Sequence, residues 1–285
     1  MYNLKIPAVI LLMTYTLAMK AQEIKIFPDG FITDKNQYTE KVDTTLASAG
    51  GKPIRLTFNV AEPTIRVYKS ANAQPAAPTI LVCPGGAYQK LSMDSEGSEV
   101  CEMLNANGYH AVLLKYRVPR RPNRAKHEAP LEDAQRAMSY VRAHAAEWGI
   151  GAGELGIMGF SAGGHLSAMT ANSERTYKPT DKIDTYSCKP DFCVLIYPAY
   201  LSAANFSLAP EVKISKNTPE TFILQSQDDV NYVDSSIFYL YALKQMGIPA
   251  TLHILPNGGH GYGMRKCGTA SDGWEQYLLA WLDSR

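Results

Sequence analysis

Several things that would quickly decide the class of this chain are scarce in it. Charge of one sign is missing: 28 basic and 27 acidic residues leave a formal net charge of +1. That balance leaves no electrostatic footprint for nucleic acid or for an anionic membrane surface. Cysteine is rare and odd in number, five in 285 residues. Five cysteines cannot all pair, and no two have the close spacing of a zinc site. The six histidines are scattered as well, so no structural metal is expected. Cys188 and Cys193 flank a strand start and are candidates to pair, while Cys83 reads as an inert buried thiol. Long apolar runs are also missing. The most apolar stretch, residues 6–17, falls short of the ~20 residues a helix needs to span a bilayer.

That stretch follows Lys5 and precedes Ala18-Met19-Lys20-Ala21. Its pattern is that of an export signal removed after Ala21, with Gln22 opening the mature chain. The expectation is a secreted or periplasmic protein with residues 1–21 as signal peptide and 22–285 as one domain. No cysteine follows the run closely, so no membrane anchor is expected. The chain is 46% hydrophobic and 19% charged, a globular composition.

Residues 54–60 and 64–68 alternate apolar and polar, which marks half-buried antiparallel strands. Beyond them the pattern changes. Apolar runs at 79–83, 111–116, 154–158, 192–197, 221–224 and 251–255 read as buried strands. Helical patterns lie between and after them at 99–107, 131–148, 235–246 and 274–282. This alternation predicts an α/β fold, a mostly parallel sheet with helices on both faces. No helix separates the first two strands, so they are expected to form an antiparallel N-terminal edge. Residues 171–190 and 200–219 are longer irregular stretches and candidates for the wall of a site.

The sequence Gly159-Phe160-Ser161-Ala162-Gly163 carries the chemistry. It stands between a short strand and a helix start, where a sharp turn would expose the Ser161 hydroxyl. A serine nucleophile needs a base, an acid to orient that base, and donors for an oxyanion. Of the histidines, His260 is the candidate base. It lies in Asn257-Gly258-Gly259-His260-Gly261-Tyr262-Gly263, directly after the last strand. His165 is four residues after Ser161 and faces helix packing, so it reads as structural or supporting. Asp228 and Asp229 follow the strand 221–224, and sequence geometry does not separate them. Ala162 offers an N–H at a helix N-terminus, where the dipole favours negative charge. The loop Pro84-Gly85-Gly86-Ala87-Tyr88, after strand 79–83, offers further N–H groups.

With these motifs in view, the chain resembles the α/β-hydrolase superfamily over nearly its whole mature length. Within it, the chain is most similar to small bacterial esterases related to hormone-sensitive lipase, in particular the carbohydrate acetyl esterases called acetylxylan esterases. The resemblance rests on residues 83–88, on 159–166, on Gln227-Asp228-Asp229 and on 258–263. It implies Ser161 as nucleophile, His260 as base and Asp228, rather than Asp229, as the acid. It implies oxyanion donors from the backbone N–H groups of Gly86, Ala87 and Ala162. The implied activity is hydrolysis of acetyl or other short acyl esters on plant polysaccharide such as xylan, without a cofactor. The implied partner is an acylated carbohydrate or another small ester. The alternatives are a feruloyl or general carboxylesterase, or a small serine peptidase. A catalytically silent binding protein would lack a triad member, and none is missing. Lipase-type relatives carry His-Gly-Gly-Gly in the first loop; here Pro84 replaces the histidine and Ala87, which keeps its N–H, the third glycine.

Overall fold

The apolar runs fold into the interior of one sheet. The computed structural model describes residues 23–47, 51–151 and 153–285. The expected export signal, residues 1–21, lies outside the described residues.

In chain order the strands and helices are β1 (Ile24–Lys25), β2 (Lys41–Asp43), β3 (Leu56–Phe58), β4 (Thr64–Tyr68), β5 (Thr79–Cys83), β6 (Lys90–Ser92), α1 (Glu99–Ala106), β7 (His110–Lys115), α2 (Glu128–Trp148), β8 (Leu155–Phe160), α3 (Ala162–Asn172), β9 (Phe192–Ile196), β10 (Ser202–Ala203), β11 (Ser207–Leu208), β12 (Glu220–Ser226), α4 (Val233–Gln245), β13 (Ala250–Leu255) and α5 (Glu275–Asp283). The main sheet has eight strands in the order β1-β4-β7-β5-β8-β9-β12-β13. From β7 to β13 every pairing is parallel, while β4 is antiparallel to β7 and β1 to β4. Every residue of β5, β7, β8 and β9 is buried. A parallel sheet covered on both faces explains why these strands are apolar through their middles rather than alternating.

Helices cover both faces. Val100 and Leu104 of α1 and Leu278 and Leu282 of α5 join Ile80, Val82 and Phe192 on one side. Leu131 and Met138 of α2, Leu166 of α3 and Leu243 of α4 join Leu81, Ile157 and Ile223 on the other. Each such fully buried side chain contributes about 1.5–3 kcal/mol by leaving water.

Two expectations need correction. Of the run 54–60, only Leu56–Phe58 is a strand, and it leaves the main sheet. It pairs with β2 and β6 in a separate three-stranded antiparallel sheet. Alternation reports one buried face but not which neighbour supplies the hydrogen bonds. Cys188 and Cys193 do not pair, and all five cysteines are free. Cys193 lies inside β9 in the core, where burial pushes its thiol well up.

Two registers place the site. Cys83 at the end of β5 pairs with Gly159, two residues before Ser161. Ser226 at the end of β12 pairs with Leu255 at the end of β13. The four loops singled out in the sequence therefore leave the same edge of the sheet as two adjacent pairs.

Candidate active site

Ser161 occupies the join of β8 and α3 with φ 51° and ψ −117°. A non-glycine residue held there stores roughly 1–3 kcal/mol of strain. Three hydrogen bonds hold it: the Ser161 N–H donates to the Ile196 carbonyl at 3.1 Å, and the Ser161 carbonyl accepts from the N–H groups of His165 at 3.1 Å and Ala199 at 3.0 Å. The flanking glycines are required by close approach. A Cβ on Gly159 would collide with the Gly163 carbonyl, and one on Gly163 with the carbonyls of Cys83 and Pro84.

Ser161 Oγ lies 2.6 Å from His260 Nε2. On the far side of the ring, Nδ1 lies 2.7 Å from Asp229 Oδ2. The Asp229 side chain is 1% exposed and that of His260 27%. A buried carboxylate against Nδ1 assigns the ring proton to Nδ1 and leaves the Nε2 lone pair facing the hydroxyl. This arrangement can remove the Ser161 proton as Oγ attacks an electrophile.

The expected acid, Asp228, is not in this contact. Its carboxylate accepts the N–H groups of Gly258 at 3.2 Å and Gly259 at 2.8 Å. The reason is the turn after β12. The Asp229 carbonyl is caught by the Val233 N–H at 2.9 Å as α4 begins. That aims the Asp229 side chain into the site and leaves exposed Asp228 beside the backbone of the histidine loop.

Gly86 and Ala87 line the cleft with Ser161 and His260. The N–H groups of Gly86, Ala87 and Ala162 donate to no other protein group among the described residues, so they are spare donors. Ala87 and Tyr88 both have positive φ, 56° and 59°, which bends the loop tightly after Gly86.

The family model described as BD-FAE matches residues 65–196. An acetylxylan esterase from Xylanibacter ruminicola is 31% identical over 74% of this chain and 46% of its own length. An endo-1,4-beta-xylanase B from Butyrivibrio fibrisolvens is 31% identical over 64% of this chain and 32% of its own length. The chain thus spans less than half the length of these curated relatives. The crystal structure of an acetyl ester-xyloside bifunctional hydrolase from Caldicellulosiruptor lactoaceticus has 29% identity and a TM-score of 0.69, covering 94% of this chain and 98% of that one.

The chain has the α/β-hydrolase fold. The cleft beside Ser161 measures about 390 Å³. Its lining includes Leu46, Ala47, Ile54 and Leu56, and also Tyr200 and Tyr232. Of the two irregular stretches expected to wall the site, only 200–219 contributes, through Tyr200. Further lining comes from β3 and the segments beside it, where the sequence offered no more than alternation. Tyr88 and Tyr197 are fully buried, so packing, not ligand contact, occupies them.

His165 is also fully buried, with Nδ1 2.7 Å from Tyr88 Oη. Burial, then the nearby His127 and Lys126, push its pKa down to about 3, so it is neutral. Through Tyr88 it holds the end of the loop that follows β5. The sequence reading missed Glu96, which lines the cleft and is 5% exposed. A single carboxylate in a polar stretch gives no periodic signal. Among the described residues, no group of three or more His, Cys, Asp or Glu is placed to hold a metal. Nor is any helix among them long and apolar enough to cross a membrane.

Proposed function

We propose that this chain is a serine carboxylic-ester hydrolase that removes acetyl or other short acyl groups from plant polysaccharide such as xylan. The observation that carries the reading is the line Ser161–His260–Asp229 with spare N–H donors at Gly86, Ala87 and Ala162. The resemblance to an acetylxylan esterase and to an acetyl ester-xyloside hydrolase supports the substrate class.

Ser161 Oγ attacks the acyl carbonyl while His260 Nε2 takes its proton. The N–H groups of Gly86, Ala87 and Ala162 receive the developing oxyanion, an interaction that strengthens as charge builds. Asp229 holds the imidazolium. The proton then passes to the leaving sugar oxygen, which departs as the alcohol. Water, activated by the same histidine, attacks the acyl-enzyme and releases the carboxylic acid, restoring Ser161. The Ala18–Ala21 pattern and the apolar run before it support export to where such polysaccharide is met.

Ser161→Ala should lower kcat/KM on p-nitrophenyl acetate by roughly 10⁴-fold or more. A variant that kept more than about a tenth of the activity would refute the mechanism, since removing the nucleophile of a triad leaves far less. Acetate release from acetylated xylan tests the substrate. Tyr200 and Tyr232 in the cleft favour a second reading, a feruloyl esterase whose aromatic acyl group packs on them. Faster turnover of feruloyl than of acetyl esters would select it.

A further inference from the structure

Glu96 is a costly residue in its place. It sits in a π-helical turn, Asp94–Ser98, that leads into α1, and it is 5% exposed. Turns of this type often mark functional positions. Burial pushes its carboxyl up, opposed by hydrogen bonds from Tyr197 and Gly85 and by the charge of His260. No cation forms a salt bridge with it among the described residues. A buried carboxylate is tolerated only where its hydrogen bonds repay the loss of water.

Those hydrogen bonds run to both halves of the site. Oε2 accepts the Gly85 N–H at 2.7 Å, one residue before Gly86 in the oxyanion loop. Oε1 accepts the Tyr197 hydroxyl at 2.8 Å. The same hydroxyl oxygen accepts the Gly263 N–H at 2.9 Å, three residues beyond His260. The Tyr197 ring stands edge-on to the His260 ring at 5.1 Å. The turn touches the histidine loop a second time, where the Met264 N–H donates to the Ser95 carbonyl at 2.9 Å. Gly263 has φ 51°, and a Cβ there would strike the same Ser95 carbonyl.

We propose that Glu96 is a positioning residue of the reaction, a buried carboxylate that holds the oxyanion loop through Gly85 and the histidine loop through Tyr197 at once. This rests on the serine-esterase reading above. Only an acceptor at both ends can serve the two donors. Glutamine has the same shape but turns one end into a donor, which must face either the Gly85 N–H or the Tyr197 hydroxyl. The titratable groups near the carboxylate are Tyr197, His260, Asp94 and Tyr116.

The test compares wild type, Glu96→Gln, Tyr197→Phe and the double variant on p-nitrophenyl acetate, with Ser161 labelling by an organophosphate read by intact mass. Glu96→Gln should lower kcat roughly 10–100-fold, the scale of a misplaced oxyanion donor, with KM within about twofold. Tyr197→Phe keeps the ring and should lower kcat roughly tenfold, and the double variant should be little worse than Glu96→Gln alone. If Glu96→Gln fails to fold, Tyr197→Phe decides alone, through kcat at unchanged KM. Normal Ser161 labelling with unchanged kcat in the variants, a loss confined to KM, or fully additive losses would overturn the bridge. A wild type that does not label at Ser161 would instead sink the esterase reading, and the bridge with it.

Discussion

Asp228 and Asp229 are neighbours with the same chemistry, yet only one meets the imidazole. Asp229 Oδ2 lies 2.7 Å from His260 Nδ1, whereas Asp228 holds the N–H groups of Gly258 and Gly259. Their substitutions should therefore separate. Asp229→Asn should reduce kcat by roughly 10³–10⁴-fold, because an amide no longer fixes the productive tautomer. Asp228→Asn keeps one acceptor for the histidine loop and should stay within about tenfold of wild type, the scale of one weakened hydrogen bond. Parallel kinetics on one ester decide the matter, and the reverse ranking would return the role to Asp228. At this scale, residue type and strand order make Ser161 and His260 legible, because each has a distinctive glycine setting. The choice between two adjacent carboxylates is not legible, because it depends on which way a single turn aims them.

At the scale of elements, the turn at Ser161 is possible because β8, α3 and the loop after β5 approach without side chains between them. Gly163 packs its α-carbon against the carbonyls of Cys83 and Pro84. Gly163→Ala should cost about 1–3 kcal/mol of stability, as other forced overpacking does. It should also lower kcat, since the loop pushed away carries the proposed oxyanion donors. Urea unfolding and turnover of the same sample check both, and an unchanged midpoint would show that the backbone yields freely. The glycine spacing foretold this turn. The cleft wall of Leu46, Ile54 and Leu56 was not foretold, because β3 shows the same alternation whether it joins the main sheet or leaves it.

At the scale of the whole molecule, the buried imidazole of His165 ties stability to pH. Its pKa falls from 6.5 in the free side chain to about 3 in the fold. Between those values the unfolded chain holds a proton that the native state does not. Stability is therefore fully present above the free value and falls as pH drops through the window, by about 1.4 kcal/mol per unit. In denaturant titrations run from neutral to acid pH, His165→Gln should show a shallower decline than wild type. Equal slopes would mean that His165 protonates in place.

The sequence by itself determined the alternation of buried strands and helices, the strand-to-helix turn at Ser161, and the glycine and histidine loops that follow β5 and β13. These are local signals, written in apolar runs and in glycines that no other residue can replace. Tertiary structure alone decided that Asp229 faces His260, that β3 walls the cleft, and that Glu96 joins two loops through Gly85 and Tyr197. Those outcomes depend on side chains distant in sequence meeting across the sheet edge, and no periodicity in the chain records which of them will meet.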